Sequence, residues 1–176
     1  MAGTLEQRLR PLIRDIPDFP KPGIVFKDIT PLLADADALR DATRAMTQPF
    51  HGEGIDQVVG IESRGFILGA CVARELNAGF VPVRKPRKLP GKTMNIEYAL
   101  EYGTDSLEIH ADACDHTSRV LVVDDVLATG GTARATCELV ERTGAVVVGL
   151  TFLVELEFLK RRARLGDRGM EVVLRY

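Results

Sequence analysis

The pattern of apolar and polar residues alternates between two periods along most of the chain. Short apolar runs predict buried strands at residues 55–61, 80–84, 119–123, 145–154 and 171–174. Apolar residues at helical spacing predict helices at residues 37–48, 66–76, 133–142 and 156–165. Strands that alternate with helices are typical of βαβ units, so we expect an α/β fold with a mostly parallel central sheet flanked by helices.

Two parts of the chain depart from this alternation. Near the N-terminus, residues 5–16 show helical spacing behind a capping box at Thr4 and Gln7, although Pro11 interrupts the helix. An irregular proline-rich segment follows, and Thr30 then begins a helix. The second departure, residues 85–109, is too long for a plain connector, so we expect a functional flap with room for its own hairpin.

Composition and charge exclude several classes of protein. The chain has 176 residues, enough for one domain, with 45% hydrophobic residues and a net charge of −2. This charge argues against general nucleic-acid binding, and the apolar run at 145–154 is too short to span a bilayer. No signal peptide pattern is visible, and the three scattered cysteines lack metal-ligand spacing. We therefore expect a reduced, cytoplasmic protein with no membrane or nucleic-acid partner.

The most informative motif follows the predicted strand at 119–123. Asp124 and Asp125 come where that strand should end, and a small-residue loop then opens a helix. Such a loop offers unhindered backbone N–H groups to a phosphate, and Thr129 and Thr132 add hydroxyls. The carboxylates would repel a bare phosphate, but they suit sugar hydroxyls or a divalent cation. The motif therefore predicts a ribose 5-phosphate site; the alternative is an ordinary corner with two solvated aspartates.

Three further segments carry candidate chemistry. The loop at 60–66 also precedes a helix, and Arg64 adds a cationic fork for phosphate oxygens, unless it makes only a surface salt bridge. The run at 84–92 holds five cations without interleaved aromatic residues, which favours a pyrophosphate over a nucleic acid. Glu101, between two tyrosines, belongs by pattern to an exposed strand, but it is also a candidate general acid/base.

Residues 120–132 resemble the phosphoribosyl pyrophosphate (PRPP) motif of type I phosphoribosyltransferases. Segments 18–31, 63–66, 87–91 and 100–103 are also similar to the adenine-specific members of that family, and the resemblance runs in order from about residue 7 to residue 159. It implies the type I phosphoribosyltransferase fold in a single domain of residues 1–176. Within it, residues 1–34 would form an N-terminal hood and residues 85–109 a flexible flap.

The resemblance also implies an activity, the transfer of the 5-phosphoribosyl group from PRPP to adenine. The implied adenine-binding residues are Val25 and Lys27 through their backbones and Phe26, Leu127 and Leu156 around the base. The implied PRPP-binding residues are Ala128, Thr129, Gly130, Gly131 and Thr132 for the 5-phosphate, Asp124 and Asp125 for the ribose hydroxyls, and Glu62, Ser63, Arg64, Arg84 and Lys88 for the pyrophosphate. The implied catalytic residues are Glu101, Lys88 and Arg64. Some relatives have Arg in place of Lys27, and many have Asp in place of Glu62.

The family further implies Mg²⁺, carried mainly on PRPP oxygens with indirect contact to Asp124 and Asp125, and a homodimer. Two alternatives stay open at this point. The first is a phosphoribosyltransferase for hypoxanthine, guanine or xanthine. The second is a PRPP-sensing regulator that binds nucleic acid, although such a protein usually has an added domain or a broad basic face.

Overall fold

A computed structural model describes residues 3–99, 103–156 and 168–176 of the chain. In chain order its helices and strands are α1 (Leu5–Leu9), β1 (Arg14–Pro17), β2 (Val25–Asp28), α2 (Thr30–Ala34), α3 (Ala36–Thr47), β3 (Gln57–Ile61), α4 (Gly65–Leu76), β4 (Gly79–Val83), β5 (Thr93–Ala99), β6 (Thr104–His110), β7 (Arg119–Leu127), α5 (Gly131–Arg142), β8 (Val146–Glu155) and β9 (Gly169–Arg175). Short 3₁₀ turns lie at Arg10–Leu12 and Gln48–Phe50.

The centre of the molecule is a parallel sheet with strand order β4-β3-β7-β8-β9 across the described residues. On its central strand, Val120 and Val122 pack into one core with α5, while Leu121 and Val123 pack into another with α3 and α4. All four side chains are fully buried, which explains why this strand has a continuous apolar run instead of an alternating one. The predicted α/β fold with helices on both faces is confirmed.

The N-terminal helix is shorter than its apolar spacing predicted. The capping box at Thr4 and Gln7 is present, but α1 ends at Leu9 and a 3₁₀ turn containing Pro11 follows. Proline lacks the N–H that would continue the helix, so the turn closes with Ile13 N–H donating to the Arg10 carbonyl at 3.1 Å. Ile16 then lies in β1, which pairs antiparallel with β2 to form a hairpin that the sequence did not predict.

The segment at 85–109 does contain a hairpin, formed by β5 and β6 in antiparallel register. Ile96 and Leu107 face each other across it and are both buried against the α5 side of the sheet. Arg84 and Glu108 exchange backbone hydrogen bonds of 2.9 and 2.7 Å, which join β6 to the residue that follows β4. The base of the hairpin is therefore part of the folded core.

Two boundaries at the carboxyl edge of the sheet differ from expectation. The central strand β7 continues to Leu127, so Asp124 and Asp125 lie within it instead of beyond its end. It continues because β8 supplies partners there, pairing Asp124 with Phe152 and Leu127 with Glu155. Leu156, the predicted first residue of a helix, is not helical, and residues 157–165 of that prediction lie outside the described residues. None of the helices described is both long and apolar enough to cross a membrane.

Candidate active site

Two loops meet at the carboxyl edge of the sheet because their strands, β3 and β7, are parallel neighbours. One loop joins β3 to α4 and carries Glu62, Ser63 and Arg64; the other joins β7 to α5. Between them lies a cavity of about 310 Å³. It is lined by Ile61, Glu62, Ser63, Arg64, Lys85, Tyr98, Asp105, Leu107, Asp124, Asp125 and Thr132. The fold thus brings both predicted anion-binding loops to one cavity.

The adjacent carboxylates lie on the floor of this cavity. Asp125 is only 6% exposed, and its Oδ2 lies 2.7 Å from Arg64 Nε. Even so, this buried oxygen accepts no hydrogen bond from any described residue, so it has capacity for a ligand hydroxyl. Burial and the neighbouring Asp125 charge raise the pKa of Asp124 well above its ordinary value. The Asp125 N–H donates to Asp124 Oδ1 at 2.9 Å and fixes the orientation of that carboxyl group.

The start of α5 has the properties expected of a phosphate site. Gly130 occupies its N-cap position in the left-handed region (φ 74°), and no side chain caps the helix there. The first backbone N–H groups of α5, from Gly131 onward, therefore remain for a ligand. Ala128 and Thr129 precede Gly130 in the loop, and Thr132 contributes its hydroxyl to the cavity.

In the other loop, Arg64 connects the Asp125 carboxylate with strand β2. Its Nε approaches Asp125, its Nη1 donates to the Lys27 carbonyl at 3.3 Å, and its guanidinium lies 4.5 Å from the centre of the Phe26 ring. The adjoining peptide bond between Glu62 and Ser63 is cis. Ser63 is exposed to the cavity.

Glu62 faces the protein's own cations. Its carboxylate accepts two hydrogen bonds from Arg84, at 2.8 and 3.3 Å, and one from the Lys85 N–H at 2.9 Å. These interactions, led by the Arg84 hydrogen bond, hold the pKa of Glu62 below its usual range. Arg84 also donates to the Lys88 carbonyl at 3.1 Å, while Lys88 itself is exposed. Glu62 therefore acts as a scaffold for the basic segment.

The sequence analysis did not predict that three polar residues, Lys85, Tyr98 and Asp105, lie together in this cavity. Lys85 forms a close ion pair with Asp105, and the Tyr98 hydroxyl lies 3.2 Å from both Asp105 Oδ2 and Thr132 Oγ1. Lys85 stood in the basic run and Tyr98 in the flap motif, but nothing near Asp105 in the sequence marked it. The hairpin register pairs Tyr98 with Asp105, and the bridge between Arg84 and Glu108 brings Lys85 to the same strand.

The predicted adenine residues surround a second, more open part of the site. Val25 is 49% exposed, and the rings of Phe26 and Phe19 meet edge to face at 5.1 Å. Leu156 is partly exposed and donates its N–H to the Leu127 carbonyl at 3.0 Å. Leu127 is buried at 3% exposure, so its contact with a base stays a prediction. Glu101 lies outside the described residues.

The residues present fit a magnesium ion carried on a phosphate ligand. Within the described ranges, no three His, Cys, Asp or Glu residues lie close enough together to form a protein cage for a metal. Asp124 and Asp125 nevertheless offer hard oxygen atoms beside the predicted sugar position, and Mg²⁺ commonly uses one or two carboxylates together with substrate phosphates and water.

Comparison with known proteins agrees with this geometry. The family model of the phosphoribosyl transferase domain matches residues 29–173. The adenine phosphoribosyltransferase of Myxococcus xanthus is 54% identical over 173 residues, covering 98% of this chain and 94% of that protein. The crystal structure of the Rhodothermus marinus adenine phosphoribosyltransferase superimposes with a TM-score of 0.95 at 53% identity, covering 99% of this chain and 100% of the other. The Trypanosoma brucei enzyme, in complex with AMP, pyrophosphate and ribose-5-phosphate, gives a TM-score of 0.89 at 25% identity, covering 98% and 80%.

Proposed function

The chain belongs to the phosphoribosyltransferase family, and from this premise we propose that it is an adenine phosphoribosyltransferase, which converts adenine and PRPP to AMP and pyrophosphate. The observation that carries the proposal is the juxtaposition of two features: a buried Asp125 carboxylate oxygen, which pairs with the Arg64 cation but accepts no hydrogen bond from the described residues, and the uncapped start of α5. A vicinal diol and a phosphate, the groups that these two features suit, are the two ends of a ribose 5-phosphate group.

In the proposed complex, the 5-phosphate accepts hydrogen bonds from the backbone N–H groups at the start of α5 and from Thr132. The ribose hydroxyls donate to Asp124 and Asp125. The pyrophosphate lies toward Arg64 and the basic segment with Arg84 and Lys88, beside the loop of Glu62 and Ser63. Arg84 is supported there by its two hydrogen bonds to Glu62.

The geometry of β2 supports backbone recognition of adenine. The Lys27 carbonyl accepts from Arg64, so the backbone groups of Lys27 point toward the site instead of toward β1. In an antiparallel pair the N–H and C=O of a residue point to the same edge, and residues two apart share that edge. The Val25 carbonyl is thus available to the exocyclic amino group and the Lys27 N–H to a ring nitrogen. An oxo-purine would leave these groups mismatched, which is costly.

The proposed reaction is an inverting displacement at ribose C1 by adenine N9. The protein lowers the barrier by holding base and sugar in line and by placing cations near the departing pyrophosphate. Asp124 and Asp125 would make indirect contact with a magnesium ion carried mainly by PRPP, which would supply further charge neutralisation for the leaving group. If adenine reacts as its N7–H form, Glu101 would accept the N7 proton as N9 bonds to C1 and would then release it to solvent.

A panel of bases tests the proposal directly. With PRPP and magnesium present, steady-state assays should show turnover of adenine and a much lower kcat/KM for hypoxanthine, guanine and xanthine. A preference for hypoxanthine would contradict the adenine assignment while leaving the family intact. Binding of a nucleic acid that is sequence-selective and weakened by salt, without turnover of any base, would instead favour a PRPP-sensing regulator.

The role of Glu101 has its own test. Glu101→Gln should lower kcat roughly 100-fold with little change in either KM, because a general acid/base acts in the chemical step. The exposed Glu97, on β5, provides the matched control, and Glu97→Gln should keep the wild-type kcat. An unchanged kcat in Glu101→Gln would remove this residue from the mechanism.

We also propose that the enzyme is a cytoplasmic homodimer. Its three cysteines, Cys71, Cys114 and Cys137, are all free, which suits a reducing compartment. Sedimentation velocity would determine the oligomeric state, and a monomer at all concentrations would contradict this part of the proposal.

A further inference from the structure

A chain of four polar side chains connects the basic segment with the phosphate loop. Lys85 pairs with Asp105, the Tyr98 hydroxyl lies 3.2 Å from Asp105 Oδ2, and the same hydroxyl lies 3.2 Å from Thr132 Oγ1. All four residues line the cavity between the two loops. We propose that Tyr98 is a positioning residue for PRPP, whose hydroxyl orients the Thr132 hydroxyl toward the 5-phosphate.

The packing of the Tyr98 ring determines where its hydroxyl lies. The Tyr98 ring packs at the edge of the core on the α5 side, and its Cδ2 lies 3.7 Å from the position that a Cβ atom on Gly131 would take. The ring thus rests against the first residue of α5. This fixes the hydroxyl beside Thr132, one residue further along the helix.

The proton positions follow from the charge of each partner. Burial raises the pKa of Tyr98, so its hydroxyl keeps its single proton at neutral pH. Burial alone would raise the pKa of Asp105, but hydrogen bonds from Lys85 and from the Ser106 N–H hold it below its usual value. Asp105 is therefore a carboxylate, which can only accept. Tyr98 can donate either to Asp105 or to Thr132, but not to both at full strength.

Phosphate binding selects one of these two directions. Without phosphate, the charged Asp105 is the better acceptor, so Tyr98 donates to it and Thr132 donates to Tyr98. A phosphate oxygen also accepts, so Thr132 must turn its proton toward the phosphate, and Tyr98 then donates to Thr132. Asp105 still has Lys85 and the Ser106 N–H, at 2.9 Å, as donors after Tyr98 turns away. The hydrogen bonds of the chain can therefore reverse direction without leaving the partly buried Asp105 carboxylate unpaired.

This inference rests on the proposed function, and two fragments of the substrate test it separately. Ribose 5-phosphate probes the phosphate loop, and inorganic pyrophosphate probes the basic side. In Tyr98→Phe, which keeps the ring, the Kd for ribose 5-phosphate and the KM for PRPP should rise roughly three- to tenfold, as for one neutral hydrogen bond. The Kd for pyrophosphate and the KM for adenine should stay within twofold of wild type, about the error of such measurements.

A double-mutant cycle separates positioning from a structural effect. On a Thr132→Ala background, Tyr98→Phe should change the Kd for ribose 5-phosphate by less than about twofold, because the hydroxyl that it orients is absent. On a Thr132→Ser background the full effect should return. Tyr176→Phe makes the same chemical change at the residue that follows β9, so it is the matched control. It should alter neither the Kd for ribose 5-phosphate nor the KM for PRPP.

The outcomes distinguish this inference from the proposed function. If wild type neither binds ribose 5-phosphate nor turns over PRPP, the proposed function fails. Suppose instead that wild type binds ribose 5-phosphate and turns over PRPP, and that Tyr98→Phe has the same Kd for ribose 5-phosphate, the same KM for PRPP and the same Tm. The proposed function then stands, and the proposed role of Tyr98 is wrong. An equal effect of Tyr98→Phe on the wild-type and Thr132→Ala backgrounds would also contradict it.

Discussion

The PRPP side and the adenine side of the proposed site are held by different means. On the PRPP side, Asp125 is 6% exposed and lies on the central strand of the five-stranded sheet that crosses the described residues. On the adenine side, Val25 is 49% exposed and lies on the two-stranded hairpin β1–β2. The first position is fixed by burial from both faces of the sheet. The second depends on a small number of surface contacts.

Those surface contacts can be named. Lys27 Nζ pairs with Asp15 Oδ1 at 2.6 Å and lies 4.0 Å from the centre of the Tyr176 ring, and Arg14 pairs with Asp28 at 2.8 Å. Exposed ion pairs of this kind each contribute only about 0–1 kcal/mol. The hairpin should therefore open at a lower free-energy cost than the sheet edge. In the proposed complex, the fold itself would therefore fix the sugar, whereas single surface residues would tune the position of the base.

The largest effect on kinetics should come from a change at Asp125, the carboxylate that we propose binds the ribose hydroxyls. Asp125→Asn keeps the size of the side chain but removes a charged acceptor, so kcat/KM for PRPP should fall roughly 100-fold. Steady-state kinetics at saturating adenine measure this, with the exposed Asp112→Asn as the matched control. Wild-type kinetics in Asp125→Asn would show that the sheet edge does not hold the sugar.

A second test adds a side-chain atom where α4 packs closely against β7. A Cβ on Gly65 would lie 2.8 Å from Asp124 Oδ1 and 3.1 Å from the Val123 carbonyl oxygen. Gly65→Ala should therefore cost about 1–3 kcal/mol of unfolding free energy and also weaken PRPP use. Gly79→Ala, whose added Cβ would meet nothing nearer than 3.6 Å, is the control in chemical denaturation. Equal stability of the two variants would mean that this edge is not tightly packed.

A third test uses pH. Because burial raises the pKa of Asp124, the folded protein binds its proton more tightly than the unfolded chain does. Its contribution to stability is therefore greatest below the unfolded pKa and decreases as pH rises toward the folded pKa. Asn does not titrate, so Asp124→Asn should gain stability relative to wild type over the pH range that begins at the unfolded aspartate pKa of about 4 and extends up to the raised folded pKa. Thermal unfolding across this range measures the difference, and a constant difference would contradict the raised pKa.

The smallest effect should be found on the hood. Tyr176→Leu removes the ring that Lys27 and Arg10 contact, at 4.0 and 4.2 Å, so β2 should be held less firmly. The KM for adenine should rise about two- to fivefold, as for one exposed cation–π contact, with no change in the KM for PRPP. Tyr176→Phe, which keeps the ring, is the control. A larger effect on PRPP than on adenine would reverse the comparison between the two sides.

The sequence alone determined the parallel sheet and the two loops at its carboxyl edge. A fully apolar run such as Val120 to Val123 is typical of a strand buried on both faces, and a small-residue loop before a helix favours an anion site. Both signals are local, because they depend on residues close together in the chain. The family resemblance added the predictions of the hood and of the role of each motif.

The tertiary structure decided what depends on distant partners. Strand β7 extends past Asp124 because β8 pairs with it, and β1 forms because β2 returns beside it. The Tyr98 hydroxyl reaches Thr132, 34 residues away, only because the hairpin packs against α5. Hydrogen bonds and ion pairs between distant residues leave no period in the sequence, since each depends on the folded position of its partner and not on its neighbours in the chain.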